Sequence, residues 1–287
     1  MTALALRRPR ARFGTRRRIP PLIAFSLGYL TIVVLAALAG RFFLAPDSIS
    51  NTDPFAIAVT PSSQHWLGTD ELGRDVYDRV LSGAQSALIG PLIIAVSGFL
   101  LSGLVGIGTG YLGGLLDTAT MRVVDFFFAL PGLLIAIVVV TVVQGGYWTA
   151  VAVLCLLNVQ GDIRLVRSAA LGQRNLAYVE ALRVTGVPGW RIMYLHIGRN
   201  ILPILLADFA IDFGSNLVAL AGLAFLGLGS QPGTADWGLM LLAGQNVLFE
   251  NPWAALAPGL AIVLLATSVN LIGDWIYERH TLASVRR

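Results

Sequence analysis

Lysine is absent from this 287-residue sequence, and all twenty basic residues are arginine. A Walker A loop uses lysine to reach nucleotide phosphates, so no ordinary ATP site is encoded. A lysine Schiff base to pyridoxal phosphate or retinal is excluded for the same reason. Cysteine is nearly missing as well. Cys155 stands alone in an apolar run, so it forms no intrachain disulfide and reads as a small buried hydrophobe. His65, His196 and His280 are scattered, and no Cys/His cluster points to a metal, so no metal site and no catalytic constellation is expected. Charge is scarce too: 13% of residues are charged, against about a quarter in soluble domains.

What the sequence does have is apolar runs, with 56% hydrophobic residues. A helix crossing a bilayer needs about 20 apolar residues, because it rises 1.5 Å per residue through a core about 30 Å thick. Six segments qualify as spans of an all-α polytopic membrane protein with the lipid bilayer as a partner and no nucleic acid. They are 21–44, 86–110, 123–144, 149–160, 201–227 and 253–273. The first follows a basic stretch and Ala37-Leu38-Ala39, which suits a signal peptide; its length and the later spans favour a retained helix. The chain divides into an N-terminal part with the first span and a polar segment (1–85), a core (86–280) and a short tail (281–287). Residues 111–122 read as a loop, and Gly-Gly-Tyr-Trp at 145–148 as a tight turn.

Basic loops stay cytoplasmic, and arginine is distributed unevenly. Six spans put both termini on one side, and seventeen of the twenty arginines then fall in segments on that side. Only Arg41, Arg74 and Arg79 are left outside. The expected setting is a prokaryotic inner or plasma membrane with both termini in the cytoplasm.

This places "YVEALRVTGVPGWRIMYLHIGRN", Tyr178 to Asn200, in the cytoplasm. Leu176, Val179 and Leu182 form a short helical stripe, with Glu180 and Arg183 off it. Gly186 suits a left-handed helix end, and Pro188 suits a helix start. The spacing predicts two short amphipathic helices over about 174–200, the second with Ile192 and Leu195 on one side. From the residues alone, either an interfacial connector or a docking element for a cytosolic partner fits.

Two polar groups remain. Asp208, Asp212 and Asn216 recur at four-residue spacing in the fifth span, on one face. Intramembrane acids face a cavity or a partner charge. They fit either a pairing with a polar group or arginine, or the lining of a pathway favouring cationic cargo; a proton relay is the third option. Asp70, Glu71, Arg74, Asp75, Asp78 and Arg79 read as a charged helix with Arg74–Asp78 and Asp75–Arg79 pairs, either solvated or, through Asp70, Arg74 and Asp75, touching an extracytoplasmic partner. In "SQPGTADWG" a gate-covering loop is one reading, with Trp237 as an interfacial anchor.

The Tyr178–Asn200 stretch resembles the EAA loop of ABC importer permeases: Glu-Ala-Ala, three residues, Gly, nine residues, His-Ile-x-Pro-Asn. Glu180, Ala181, Gly186, His196, Ile197 and Asn200 match; Leu182 and Arg199 replace an Ala and a Pro. "HWLGTDELGRDVYDRVLSGAQSAL", "MRVVDFFFALPGLLIAIVVV", "FLGLGSQPGTADWGLML" and the last span are similar to further signatures of the C-type permeases in the dipeptide/oligopeptide/nickel family. The resemblance covers His65 to Asp274 and implies a type I ABC importer permease fold. It further implies a B-type permease as partner in a heterodimer, an extracytoplasmic binding protein, and two ATPase subunits carrying ATP and Mg, with no cofactor in this chain. Glu180, Ala181, Gly186, Val187, Trp190, Met193, His196 and Asn200 would form the coupling element. Dipeptides or oligopeptides would be the cargo, with nickel chelates, glutathione or haem-like ligands as alternatives. A proton-coupled secondary transporter using Asp208 and Asp212 is a separate reading, but no internal repeat supports it; a membrane enzyme is another.

Overall fold

The computed structural model describes residues 19–43, 52–231 and 233–284. The basic N-terminus up to residue 18, the start of the polar segment and the last tail residues lie outside the described part. Among the described residues the chain is helical, with one isolated bridge between Thr69 and Asp75 as its only extended pairing.

The helices are α1 (Pro21–Phe43), α2 (Val76–Leu112), α3 (Gly114–Phe128), α4 (Gly132–Val143), α5 (Gly146–Arg174), α6 (Ala177–Val184), α7 (Gly189–Phe225), α8 (Trp237–Gly244) and α9 (Trp253–Ser284). Five of them are long and apolar enough to cross a membrane. The expected third span, 123–144, is not straight. It splits into α3 and α4, which bend by 76°, and the pair makes a sixth span if counted as one. The reason is Pro131: it precedes α4 in an extended conformation and has no N–H to continue the helix. The expected loop at 111–122 is largely helical, because the break is confined to Gly113 and Gly114, both at φ +67°.

The expected fourth span, 149–160, is corrected to 29 residues ending at Arg174. Its second half loses hydropathy but not helicity, since neighbouring helices satisfy its polar groups. Arg167 forms a two-pronged pair with Asp117 of α3, one arm 2.7 Å. Arg164 pairs with Asp125 at 2.5 Å and lies 4.4 Å from the Phe128 ring centre. Two arginines that read as free cytoplasmic charge therefore tie α3 antiparallel to α5.

Helix α7 packs between α2 and α9, α5 lies along α2, and α1 lies against α2 and α9. Small residues set how closely these helices approach. A methyl on Gly106 would lie 2.9 Å from Val166 Cβ, and one on Gly110 2.8 Å from Ala170 Cβ. No side chain fits there without moving α5, which is how membrane helices gain packing without a hydrophobic driving force. Leu22, Phe25, Ile32, Leu35 and Leu38 point outward from α1, and lipid tails suit such a face. Short π-helical turns interrupt α2 at Ser102–Gly106 and α7 at Ile192–Ile197. They face one another, and the Tyr194 hydroxyl of one donates to the Leu104 carbonyl of the other at 3.1 Å.

At the end of the bundle that carries Trp237, the expected charged helix over 70–79 is corrected. Residues 67–75 make a compact turn, and helix α2 begins only at Val76, with Asp75 accepting from the Tyr77 and Asp78 amides. The pairings differ from those expected: Arg74 bonds Asp70, four residues before it, at 2.8 Å, and Arg79, nine residues after Asp70, approaches the same carboxylate at 3.5 Å. Arg79 is 1% exposed and donates to the carbonyls of Gly233 and Thr234. Asp70 and Arg74 are buried as well, so they hold this end together and are not available to an outside partner. Asp75 is half-buried and accepts from His65. Trp237 is no interfacial anchor. It is 3% exposed, and its indole N–H donates to the Val80 carbonyl.

Candidate functional site

The opposite end is built around Gly186. Helix α6 closes with a full Schellman motif: the Val187 amide donates to the Leu182 carbonyl and the Gly186 amide to the Arg183 carbonyl, both at 3.1 Å. This needs a left-handed residue after the helix, and Gly186 has φ +76°. Pro188 then sits at the N-cap position, and the first turn of α7 bonds back to its carbonyl. The bend expected over 186–189 is therefore present. The second helix is not short, however. It runs from Gly189 through the π turn to Phe225 without a break, and Arg199 has the amide N–H that the proline of the EAA pattern would lack.

The two helix starts are clamped from behind. Val179, Ile192 and Ile197 are almost wholly buried with Ile107, Tyr111, Val166 and Ala170. Arg183 donates to the Tyr111 hydroxyl and stacks on its ring. Gln173 of α5 accepts from Tyr178 at 2.9 Å and from Asn200 at 3.4 Å. Met193 belongs to this buried set at 8% exposure, so it cannot fill a partner's groove as expected. Ile192 is 1% exposed and Leu195 55%, so they do not share a side. The π turn changes the period: Ile192 and Ile197, five apart, face inward together.

What faces outward is Glu180, Ala181, Val184, Gly186 and Trp190, with Val187 partly covered. Glu180 makes no ion pair among the described residues. His196 is exposed. It lines a depression of about 360 Å³ with Tyr178, Ala181, Leu182 and Thr185. It also borders a groove of about 830 Å³ that runs along Phe99, Leu104, Tyr194, Arg199 and Leu202.

Residues 66–281 match the family described as the binding-protein-dependent transport system inner membrane component. The chain belongs to this family. The permease is 33% identical over 254 residues to the probable D,D-dipeptide transport system permease protein DdpC of Escherichia coli (strain K12), covering 87% of this chain and 85% of that one. It is 32% identical over 264 residues to the glutathione transport system permease protein GsiD of Pectobacterium atrosepticum, with 92% and 88% coverage. It is 33% identical over 252 residues to the dipeptide transport system permease protein DppC of Alkalihalophilus pseudofirmus, with 87% and 81% coverage. It is thus a multi-pass, non-catalytic permease subunit of an ABC transport system.

The permease brings Asp208 and Asp212 together with a third acid that sequence reading missed. Asp162 of α5 faces both, and one oxygen from each carboxylate lies within 4.8 Å of the other two. Asp162 escaped notice because it follows the apolar run of its helix by two residues. Asn216 is 2% exposed and accepts from Asn158 while donating to the Asp212 carbonyl; it points into the bundle, not along an open passage. No arginine or histidine forms an ion pair with the three acids among the described residues, so the expected pairing with an arginine of this chain is absent.

Proposed function

We propose that the permease forms, with a B-type permease, the pathway of an importer for short peptides, and that its Gly186 end faces the cytoplasm and seats in an ATPase subunit. The observation that carries this reading is the outward face of α6. Helix α6 is clamped from behind and joined to α7 by the sharp bend at Gly186; it exposes Glu180 and Val184, and the first turn of α7 exposes Trp190 beside them. Two ATPase subunits supply the ATP and Mg chemistry, and an extracytoplasmic binding protein delivers cargo, in keeping with the family. Arginine bias supports the cytoplasmic placement of both termini. The names of the relatives support dipeptide cargo, and they equally support glutathione, itself a small peptide.

Proteoliposomes holding the complete transporter test this. Uptake of labelled dipeptide should need ATP and the binding protein, and orthovanadate should abolish it. Glu180→Lys should cut uptake severely while the permease still inserts. Uptake that ignores vanadate but collapses with an uncoupler would sink the ABC mechanism; competition by glutathione over dipeptides would redirect the cargo.

A further inference from the structure

Among the described residues no arginine or histidine forms an ion pair with the three carboxylates inside the bundle. Asp162 is 5% exposed, and its Oδ2 has no hydrogen-bond partner among the described residues. That oxygen points at Asp212 beneath Gly98. A methyl group at position 98 would lie 3.2 Å from Asp212 Oδ2 and closer still to Asp162 Oδ2. Two observations therefore meet here: acids four residues apart on α7, and a buried acid on α5 whose Oδ2 faces only those carboxylates under a glycine roof. Charged groups in a membrane are found paired, or facing a cavity or ion.

The geometry points to a bound hard metal cation such as calcium, held by Asp162, Asp208 and Asp212. Calcium binds oxygen at 2.3–2.6 Å. The three carboxylate oxygens here lie within 4.8 Å of one another, close enough for small side-chain rotations to bring them onto one such shell. The donors are all carboxylate oxygens, which favours a hard cation over zinc or copper. Asp208 and Asp212 are only partly buried, which leaves access for the ion and room for the waters that complete its shell. The site lies between helices α5 and α7.

Calorimetric titration of calcium chloride into chelator-stripped, complete transporter in lipid nanodiscs, without nucleotide, tests this. The wild type should take up about one more calcium ion per permease than the Asp162→Asn transporter. Asp208→Asn and Gly98→Ala should weaken that uptake by about tenfold or more, the second without altering charge. Size-exclusion profiles report assembly; if Asp162→Asn does not assemble, Gly98→Ala and Asp208→Asn are compared with wild type instead. No saturable calcium uptake by the wild type overturns the site, as does uptake that every variant leaves unchanged, which would place the ion at lipid headgroups.

Discussion

Replacing Arg79 by methionine should be the most damaging single change at the Trp237 end of the permease. The guanidinium is 1% exposed, donates to two carbonyls of the loop before α8 at 3.1 and 2.9 Å, and sits 3.5 Å from Asp70. Methionine fills similar volume but leaves these acceptors without their donor. Breaking a buried charged pair by removing one partner costs about 3–5 kcal/mol, which for a chain of this size lowers the melting temperature by roughly 6 °C or more. Arg74→Met is the internal comparison. It removes a 2.8 Å bond to the same carboxylate, but Asp70 still accepts from the Leu72 amide and has Arg79 nearby. Its cost should be that of one charge-assisted hydrogen bond, about 1.5–3 kcal/mol. Thermal melting in detergent, followed by fluorescence-detected size exclusion, reads both. Adding Asp70→Asn to Arg79→Met should cost less than the sum of the two changes, because they share a network. The reasoning is refuted if Arg79→Met melts within about 1 °C of wild type, or if Arg74→Met proves the worse variant.

Three further outcomes follow from the Gly186 end. Val184→Asp should leave the permease folded and reduce ATPase co-purification, whereas Met193→Asp should lower expression and stability, because Val184 is 84% exposed and Met193 8%; equal behaviour in both assays would argue against the division of faces. Gly186→Pro should abolish uptake with insertion intact, since proline holds φ near −65° and Gly186 needs +76°; normal transport would show that the bend is dispensable. Exchanging Asp117 and Arg167 as a pair should restore most of the stability lost in either single reversal, read by melting temperature; the coupling should be near 1 kcal/mol because both side chains are partly solvated.

Much of this architecture was legible because apolar runs, glycine and proline have direct physical meanings. Gly186 followed by Pro188 announces a stop and a start, and both occur. The misreadings share a cause: a residue was assigned its environment from its neighbours in sequence. Asp70, Arg74 and Arg79 looked like surface charge because the stretch is polar, but Asp70 and Arg74 are buried against each other and Arg79 donates to a loop more than 150 residues away. Met193 looked available because a regular helical period places it beside Trp190, and the π turn shifts that period. Asp162 was passed over because hydropathy falls after Gln160, although the helix carries on for twelve more residues past Asp162. Residues 123–144 read as one span because the run is apolar throughout, and Pro131 turns it by 76°.

The unbroken course of α7 has a mechanical consequence. A helix of 37 residues is about 55 Å long, well beyond the bilayer's apolar core of about 30 Å. One end begins at the bend beside Gly186; the other closes with its own Schellman motif at Gly227. Such a rod acts as a lever. A tilt of about 10° around its middle carries each tip some 5 Å in opposite directions, so a push on Gly189 reappears reversed near Phe225. Asp208 lies nineteen residues from one tip and seventeen from the other, close to the fulcrum. The acids therefore occupy the part of the lever that moves least, where two helices can stay in register while both tips swing.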